Sequence, residues 1–431
     1  MNYEQASKYL SKCAHLGSRP GLDSICELLT RLSKPQDALF FVHVAGTNGK
    51  GSVASFIASV LKEAGYKTGF FASPAVYDIT ETICINGQPI SREAFAQVIE
   101  VVKEAAEAMA EEGLLHPTEF EIVTAAAYLY FAQSGCNIAV VEAGMGGRLD
   151  ATNVISKKAA AVLTKIDYDH TAFLGNTLEA ITKEKCGILK KGVPLTVYPG
   201  QEQACLDEIK KQAGYYQSVV RTPDEASLFV HEEGLKGSVF SYKQYQNLQI
   251  SLCGKHQIKN AITAIEALES LRASGFRFSD EQLAAGLLKT EWKGRFEVLS
   301  SEPLVILDGA HNSSGADAFA KAMRSAAPNT DFIGVVGMLA DKDYRYCLEV
   351  FGRLCCRLIV TEVPNPRTAK ATHLAEVANS LGFDVALVEN PHDAVCEAFS
   401  QRQAGQGVFC VGSLYALAMF KETCLKAIKQ R

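Results

Sequence analysis

Three glycines, a lysine and a serine crowd into the run His43-Val44-Ala45-Gly46-Thr47-Asn48-Gly49-Lys50-Gly51-Ser52, a mixture suited to holding a row of phosphates. Gly46, Gly49 and Gly51 allow backbone N–H groups to turn inward with no side chain in the way. Lys50 has the reach to meet outer phosphates, and the Ser52 hydroxyl suits Mg2+. A β-rich segment, Ala38-Leu39-Phe40-Phe41-Val42, precedes the run, and an apolar-periodic segment from Val53 to Leu61 follows it. Strand, glycine turn, helix is the context such a loop needs, with the positive helix end beneath the anion. The run departs from the G-x-x-x-x-G-K-S/T form. Val44 stands in place of the first glycine, and Gly51 separates the lysine from the hydroxyl. The expected ligand is a nucleoside triphosphate.

Other polar groups gather where apolar runs end. Val140-Val141-Glu142 leads into Ala143-Gly144-Met145-Gly146-Gly147-Arg148-Leu149-Asp150-Ala151-Thr152-Asn153. Ligands of open α/β sheets bind at the carboxyl ends of strands. Glu142 is thus placed to meet a metal bridging nucleotide phosphates, because Mg2+ favours one or two carboxylates plus waters. Thr164-Lys165-Ile166-Asp167-Tyr168-Asp169-His170 ends another apolar run, which brings His170 to the same edge as Glu142 and Lys50. A fourth such junction, Ile306-Leu307-Asp308-Gly309-Ala310-His311-Asn312, presents Asp308 and His311 at a strand end, with Asn312 or Ser313 equally suited to capping a helix. Two segments read as ordinary on their own: Glu184-Lys185 as a solvated charge pair, and Gly254 to Ala261 as a polar helix start.

Short apolar runs alternate with longer helical ones almost throughout, which predicts parallel sheets covered by helices. Strands are expected over 39–45, 68–73, 138–142, 160–166 and 195–198, with helices over 53–63, 92–112, 119–133, 178–190 and 202–213. Polar, alternating residues from 227 to 252 predict antiparallel hairpins, followed by helices over 257–274 and 280–288. The alternation restarts after Trp292-Lys293-Gly294-Arg295. It predicts strands over 304–307, 331–336, 357–360, 385–388 and 408–411, and helices over 316–326, 344–354, 373–381, 394–401 and 414–428. The fold class is therefore α/β. An N-terminal P-loop ATPase domain (1–293) has a mostly parallel sheet plus a small antiparallel one, and a smaller C-terminal Rossmann-like α/β domain spans 294–431. Gly294 suits either a hinge or a plain turn.

At 431 residues, 48% of them hydrophobic, the chain is long enough for two or three cores. A net charge of −5 offers no basic surplus for nucleic acid. No apolar run approaches the ~18 residues of a membrane span, and Met1-Asn2-Tyr3-Glu4-Gln5 does not read as a signal peptide. Thirteen scattered cysteines contain no C-x-x-C pair, so reduced thiols in the cytoplasm are expected.

Taken in order, these segments resemble the Mur ligase superfamily and, within it, folylpolyglutamate synthase and dihydrofolate synthase. Besides the four junctions, the matching segments are Ser73-Pro74, Pro117-Thr118-Glu119-Phe120-Glu121, Glu184-Lys185, Gly294-Arg295-Phe296-Glu297 and Gly412-Ser413-Leu414-Tyr415. Peptidoglycan ligases carry a UDP-binding domain of on the order of 100 residues ahead of the phosphate loop. Only 45 residues precede Gly46 here, which favours the folate branch. The resemblance implies an ATP- and Mg2+-dependent ligase that joins L-glutamate to a folate or pterin acid through an acyl phosphate. A monomer is expected, with no nucleic-acid or membrane partner.

Gly46, Thr47, Asn48, Gly49, Lys50, Gly51 and Ser52 would hold the ATP phosphates. Asn260, Arg295 and Asp308 would hold adenosine and phosphate. Ser52, Ser73, Glu142 and His170 match the Mg2+ ligands, and Lys185 matches a lysine that is carbamylated in this family. Gly21, Leu22, Asp23 and Ser24, together with Thr118, Glu119, Phe120, Glu121, Leu149, Asp150, Ala151, Thr152 and Asn153, match the region that receives the pterin. His311 is the candidate for contacting the acyl phosphate or the incoming glutamate. Two departures concern substrate choice. Ser73-Pro74-Ala75-Val76 replaces the frequent Ser-Pro-His-Leu, and Glu81-Thr82-Ile83-Cys84 lacks the arginine often found in that strand. The alternatives are an amide ligase of the same fold acting on another carboxylate, and a catalytically silent nucleotide-binding protein.

Overall fold

The computed structural model describes residues 1–17 and 19–429. It divides into two compact units. The first comprises residues 1–228, 242–248 and 259–290, and the second comprises 229–241, 249–258 and 291–431.

The first unit is built on eight strands: β1 (Phe40–Ala45), β2 (Thr68–Phe71), β3 (Ile83–Ile85), β4 (Gln88–Pro89), β5 (Ile138–Glu142), β6 (Lys158–Leu163), β7 (Leu195–Val197) and β8 (Val220–Arg221). They pair in the order β4-β3-β2-β5-β1-β6-β7-β8. From β2 to β8 every pairing is parallel, and β3 and β4 add an antiparallel edge. The central strands β1, β5 and β6 are near-continuous apolar runs because helices cover both faces of a parallel sheet. Helices Tyr3–Ala14, Asp23–Arg31, Arg92–Glu111 and Glu119–Gln133 build one core with Phe41, Phe71 and Val141. Ile181, Leu189, Leu195 and Ile209 build another. Helix Lys50–Glu63 packs against Asp280–Leu288.

A three-stranded antiparallel sheet follows, made of β9 (Leu228–Gly234), β10 (Gly237–Tyr242) and β11 (Tyr245–Ile250) in the order β11-β10-β9. The second unit contains a six-stranded sheet of β12 (Glu297–Ser301), β13 (Leu304–Leu307), β14 (Phe332–Gly337), β15 (Arg357–Thr361), β16 (Val385–Leu387) and β17 (Gly407–Val411), ordered β12-β13-β17-β14-β15-β16. The sequence places one boundary between 293 and 294. The second unit nonetheless includes segments 229–241 and 249–258, because Leu235 and Cys253 pack on the apolar core of Phe296, Phe319 and Phe409.

Several elements differ from expectation. The helix after the phosphate loop starts at Lys50 rather than Val53, and the helix from Leu178 stops at Cys186. The C-terminal helix runs from Leu417 to Lys429 after a 3-10 turn at Leu414–Ala416. Helices Tyr3–Ala14 and Asp23–Arg31 and strands β4, β8 and β12 have no counterpart among the expected elements.

Candidate functional site

The carboxyl ends of four adjacent parallel strands, β2, β5, β1 and β6, form one row. Each delivers a predicted group: Ser73 follows β2, Glu142 ends β5, the glycine loop follows β1, and Thr164 to His170 follow β6. The chain passes from β1 to β2 on one side and later adds β6 on the other. This is the topological switch point where open α/β sheets bind ligands.

Close approach explains the glycines of the loop. A Cβ at Gly46 would lie 1.9 Å from the Thr164 hydroxyl oxygen. Gly49 has φ +84°, and a Cβ there would lie 2.6 Å from Asn260 Oδ1. The loop is also tied to the segment after β6. The amides of Thr47 and Asn48 donate to the Lys165 carbonyl at 2.8 and 3.1 Å. The Thr47 hydroxyl donates to the Asp167 carbonyl at 2.9 Å and accepts from its amide at 3.0 Å. Substituting Gly49 with alanine is expected to weaken ATP binding about tenfold or more, since ~1.4 kcal/mol of strain suffices for a factor of ten. Titration calorimetry with ATP measures this, and unchanged affinity would contradict the fit.

Lys50 opens its helix with Nζ 3.6 Å from Glu142 Oε1 and 3.3 Å from the Thr47 carbonyl. Glu142 is buried. Lys185 is the group that composition alone did not single out. Its side chain is buried and donates to the Gly46 carbonyl at 2.8 Å. Burial, with Lys50 adding repulsion, pushes its ammonium down to about 7, against the opposing pull of Asp169 and Asp150. Its neighbour Glu184 instead pairs with Arg148 at 3.0 Å. His170 adopts a left-handed φ of 49° at the start of the short helix Thr171–Leu174, with Nε2 3.8 Å from Asp169 Oδ2.

The segments matched to pterin binding belong to elements that meet. Helix Asp23–Arg31, opened by Gly21 to Ser24, and helix Glu119–Gln133 both pack against the turn Ala151–Val154. Asp150 is buried and accepts from the Met145 amide at 2.8 Å and the Thr152 amide at 3.0 Å. Asn153 donates to the Arg148 and Gly187 carbonyls and accepts from Lys158 at 2.7 Å. Thr118 and Glu121 cap their own helix reciprocally, the Thr118 amide donating to Glu121 Oε2 at 2.7 Å. Between those two residues, Glu119 and Phe120 are half-buried. Thr118→Ala is expected to cost about 1 kcal/mol of stability through the lost cap. Urea unfolding reads it, and a shift under a few tenths of a kcal/mol would contradict the capping role. Of the two departures, Cys84 is buried on β3 and donates to the Glu81 carbonyl at 3.3 Å, and Ala75 is half-buried.

In the second unit, Asp308 follows β13 and accepts from the Phe296 and Ala310 amides, each at 2.7 Å. Burial raises its carboxyl above the usual range, partly offset by Arg295. Arg295 also acts on half-buried His256, whose ring is depressed to about 4 by desolvation first and by Arg295 second. His311 Nδ1 lies 2.7 Å from the Gly309 carbonyl. That oxygen only accepts, so Nδ1 carries the proton. Asn312 caps helix Ser313–Ala326 by accepting from the Gly315 amide.

Residues 44–268 match the Mur ligase middle domain, and residues 294–414 match the Mur ligase, glutamate ligase domain. The chain is 35% identical to the dihydrofolate synthase/folylpolyglutamate synthase of Bacillus subtilis, over 96% of this chain and 97% of that protein. It is 31% identical to the folylpolyglutamate synthase of Lacticaseibacillus casei, over 99% of both. Among solved structures, the folylpolyglutamate synthase of Thermotoga maritima superposes with a TM-score of 0.85 at 31% identity, covering 97% of this chain and 96% of that one. A FolC from Escherichia coli in complex with DHPP and ADP gives 0.86 at 29% identity, covering 98% of both chains.

Proposed function

The chain belongs to the folylpolyglutamate synthase/dihydrofolate synthase family of Mur ligases, and we infer from its site that it is an ATP- and Mg2+-dependent ligase joining L-glutamate to a folate-type carboxylate. The observation that carries this reading is the row of strand ends that gathers the glycine loop, Lys50, Glu142 and Lys185.

The donor set suits Mg2+. Among the described residues, no group of three His, Cys, Asp or Glu side chains could hold a metal alone. One buried carboxylate with hydroxyls nearby fits an ion that retains waters and phosphate oxygens. Ser52, Ser73, Glu142 and His170 would hold it, and when bound it neutralises charge on the transferring phosphoryl group.

The folate carboxylate oxygen attacks the γ-phosphorus while ADP departs with the electron pair of the broken bond. The loop amides and Lys50 hold the phosphates in line for this attack. The glutamate amine then attacks the acyl phosphate carbonyl, the tetrahedral intermediate collapses, and phosphate leaves. The amine gives up a proton in forming the amide, and His311 is the candidate for contacting the acyl phosphate or the incoming glutamate at that step. Arg295, Asp308 and Asn260 act on the nucleotide. The region of Gly21 to Ser24, Thr118 to Glu121 and Leu149 to Asn153 receives the pterin.

On this reading the enzyme is a monomer of the cytoplasm, a reducing setting that suits thirteen scattered cysteines without a C-x-x-C pair. No helix among the described residues is long and apolar enough to cross a membrane. ADP release with dihydropteroate and with tetrahydrofolate, each with and without glutamate, tests the reading. Release that needs both a pterin acid and glutamate is expected. No glutamate-dependent release with either would overturn it, and a response to other carboxylates alone would favour a different amide ligase of this fold.

A further inference from the structure

His43 lies on β1 beneath the glycine loop, fully buried, and none of the steps above uses it. Its Nε2 is 2.8 Å from the Thr152 hydroxyl oxygen. That hydroxyl in turn bonds Asp150 Oδ1. The other His43 nitrogen, Nδ1, is buried without a hydrogen-bond partner.

The proton positions in this chain follow from a simple count. An ionised Asp150 only accepts, so the single Thr152 hydroxyl proton points to it. The Thr152 oxygen must then accept from His43, which places the ring proton on Nε2 and leaves a bare lone pair at Nδ1. The reverse arrangement would need a protonated Asp150 and an N–H at Nδ1 buried with no acceptor, a costlier orphan than a lone pair. Burial raises the Asp150 carboxyl, and the Met145 and Thr152 amides, one on each oxygen, oppose it and favour the ionised form. Burial, with Lys158 and Lys190 nearby, holds the ring neutral. A Tyr128 hydroxyl bond of 3.0 Å to the Thr152 carbonyl fixes the same turn from the helix side.

We propose that His43 is a positioning residue for the pterin-receiving turn: by donating from Nε2 it fixes the direction of the Thr152 hydroxyl and so keeps the Asp150 carboxylate aimed and the turn Leu149–Asn153 in place. The functional half of this proposal rests on the ligase reading above, in which that turn meets the folate substrate.

The test compares His43→Gln, His43→Leu and Thr152→Val in the full chain. Glutamine keeps an N–H donor at a similar reach, whereas leucine removes it. His43→Leu is expected to raise KM for the pterin acid about tenfold, with KM for ATP and kcat within about twofold of wild type. His43→Gln should recover most of that loss. Adding Thr152→Val to His43→Leu should cost little more, because both break one link. Ring-nitrogen NMR of the wild-type protein should show His43 protonated at Nε2 and bare at Nδ1. A loss spread equally over kcat and both KM values, or a glutamine variant no better than leucine, would overturn the proposal. So would a proton at Nδ1. If wild type itself fails to ligate glutamate to any pterin acid, the ligase reading falls, while the NMR measurement still decides the hydrogen-bond chain.

Discussion

Lys50→Ala is expected to lower kcat for glutamate-dependent ADP release by about 10²–10³-fold or more, the scale seen when one group stabilising transition-state charge is removed. The argument begins with position. Lys50 is the first residue of its helix, where the loop amides and the helix end already favour an anion. Its Nζ lies 3.6 Å from Glu142 in a site with little solvent, where a point charge acts more strongly than in water. As γ-phosphoryl transfer proceeds, negative charge shifts among oxygens that Lys50 can reach, so the loss should fall mainly on kcat. The fold should survive, because among the described residues the side chain makes one ion pair and one bond to a carbonyl, both within the ligand site. Circular dichroism and thermal melting verify this. A folded variant that turns over at the wild-type rate would show that this loop does not hold the reacting phosphates.

The strands that carry the site were legible because of how they are buried. β1, β5 and β6 lie inside a parallel sheet, so each reads as an apolar run that stops where polar groups begin. Their ends therefore read as one edge from the sequence alone. The N-terminal helices were not. Asp23–Arg31 spans nine residues, and its N-cap, Leu22, makes no side-chain hydrogen bond, so no capping signal announces it. Edge strand β8 has two residues and no periodicity to read. The start of the helix at Lys50 was obscured because Gly51 and Ser52 are weak helix formers whose place there is set by the loop.

The candidate site divides along the same line. Glu142 and the glycine loop announce themselves by lying at strand ends, whereas His43 sits mid-strand, where a histidine reads as an interruption in an apolar run. Glu184 and Lys185 are adjacent in sequence and resemble a surface charge pair. On a helix, successive residues point about 100° apart. Glu184 turns to Arg148, and Lys185 turns inward to the Gly46 carbonyl. Local sequence does not say which face is covered; only the packing of Leu178–Cys186 against the glycine loop does.

Lys185→Ala should abolish most turnover, by about a hundredfold or more, and added acetate should restore part of it. Carbamylation joins the neutral lysine nitrogen to the carbon of CO2 with loss of one proton, so it needs the uncharged amine. An ordinary lysine near 10.4 is only ~0.1% neutral at pH 7.5. Burial and the nearby Lys50 bring Lys185 down to about 7, so the neutral form predominates just above that pH. The sign follows directly. The amine becomes available as pH rises through 7 and is protonated below it, so carbamylation and activity should both fall in CO2-depleted buffer at pH 6. Lys185→Arg should stay inactive, since a guanidinium remains charged and takes up no CO2. Alanine leaves a space beside the Gly46 carbonyl where a short carboxylate stands in for the carbamate, whereas a neutral amide of the same size should not rescue. If Lys185→Ala turns over normally, or acetate and acetamide rescue it equally, the lysine serves only to brace the glycine loop through its 2.8 Å bond to Gly46.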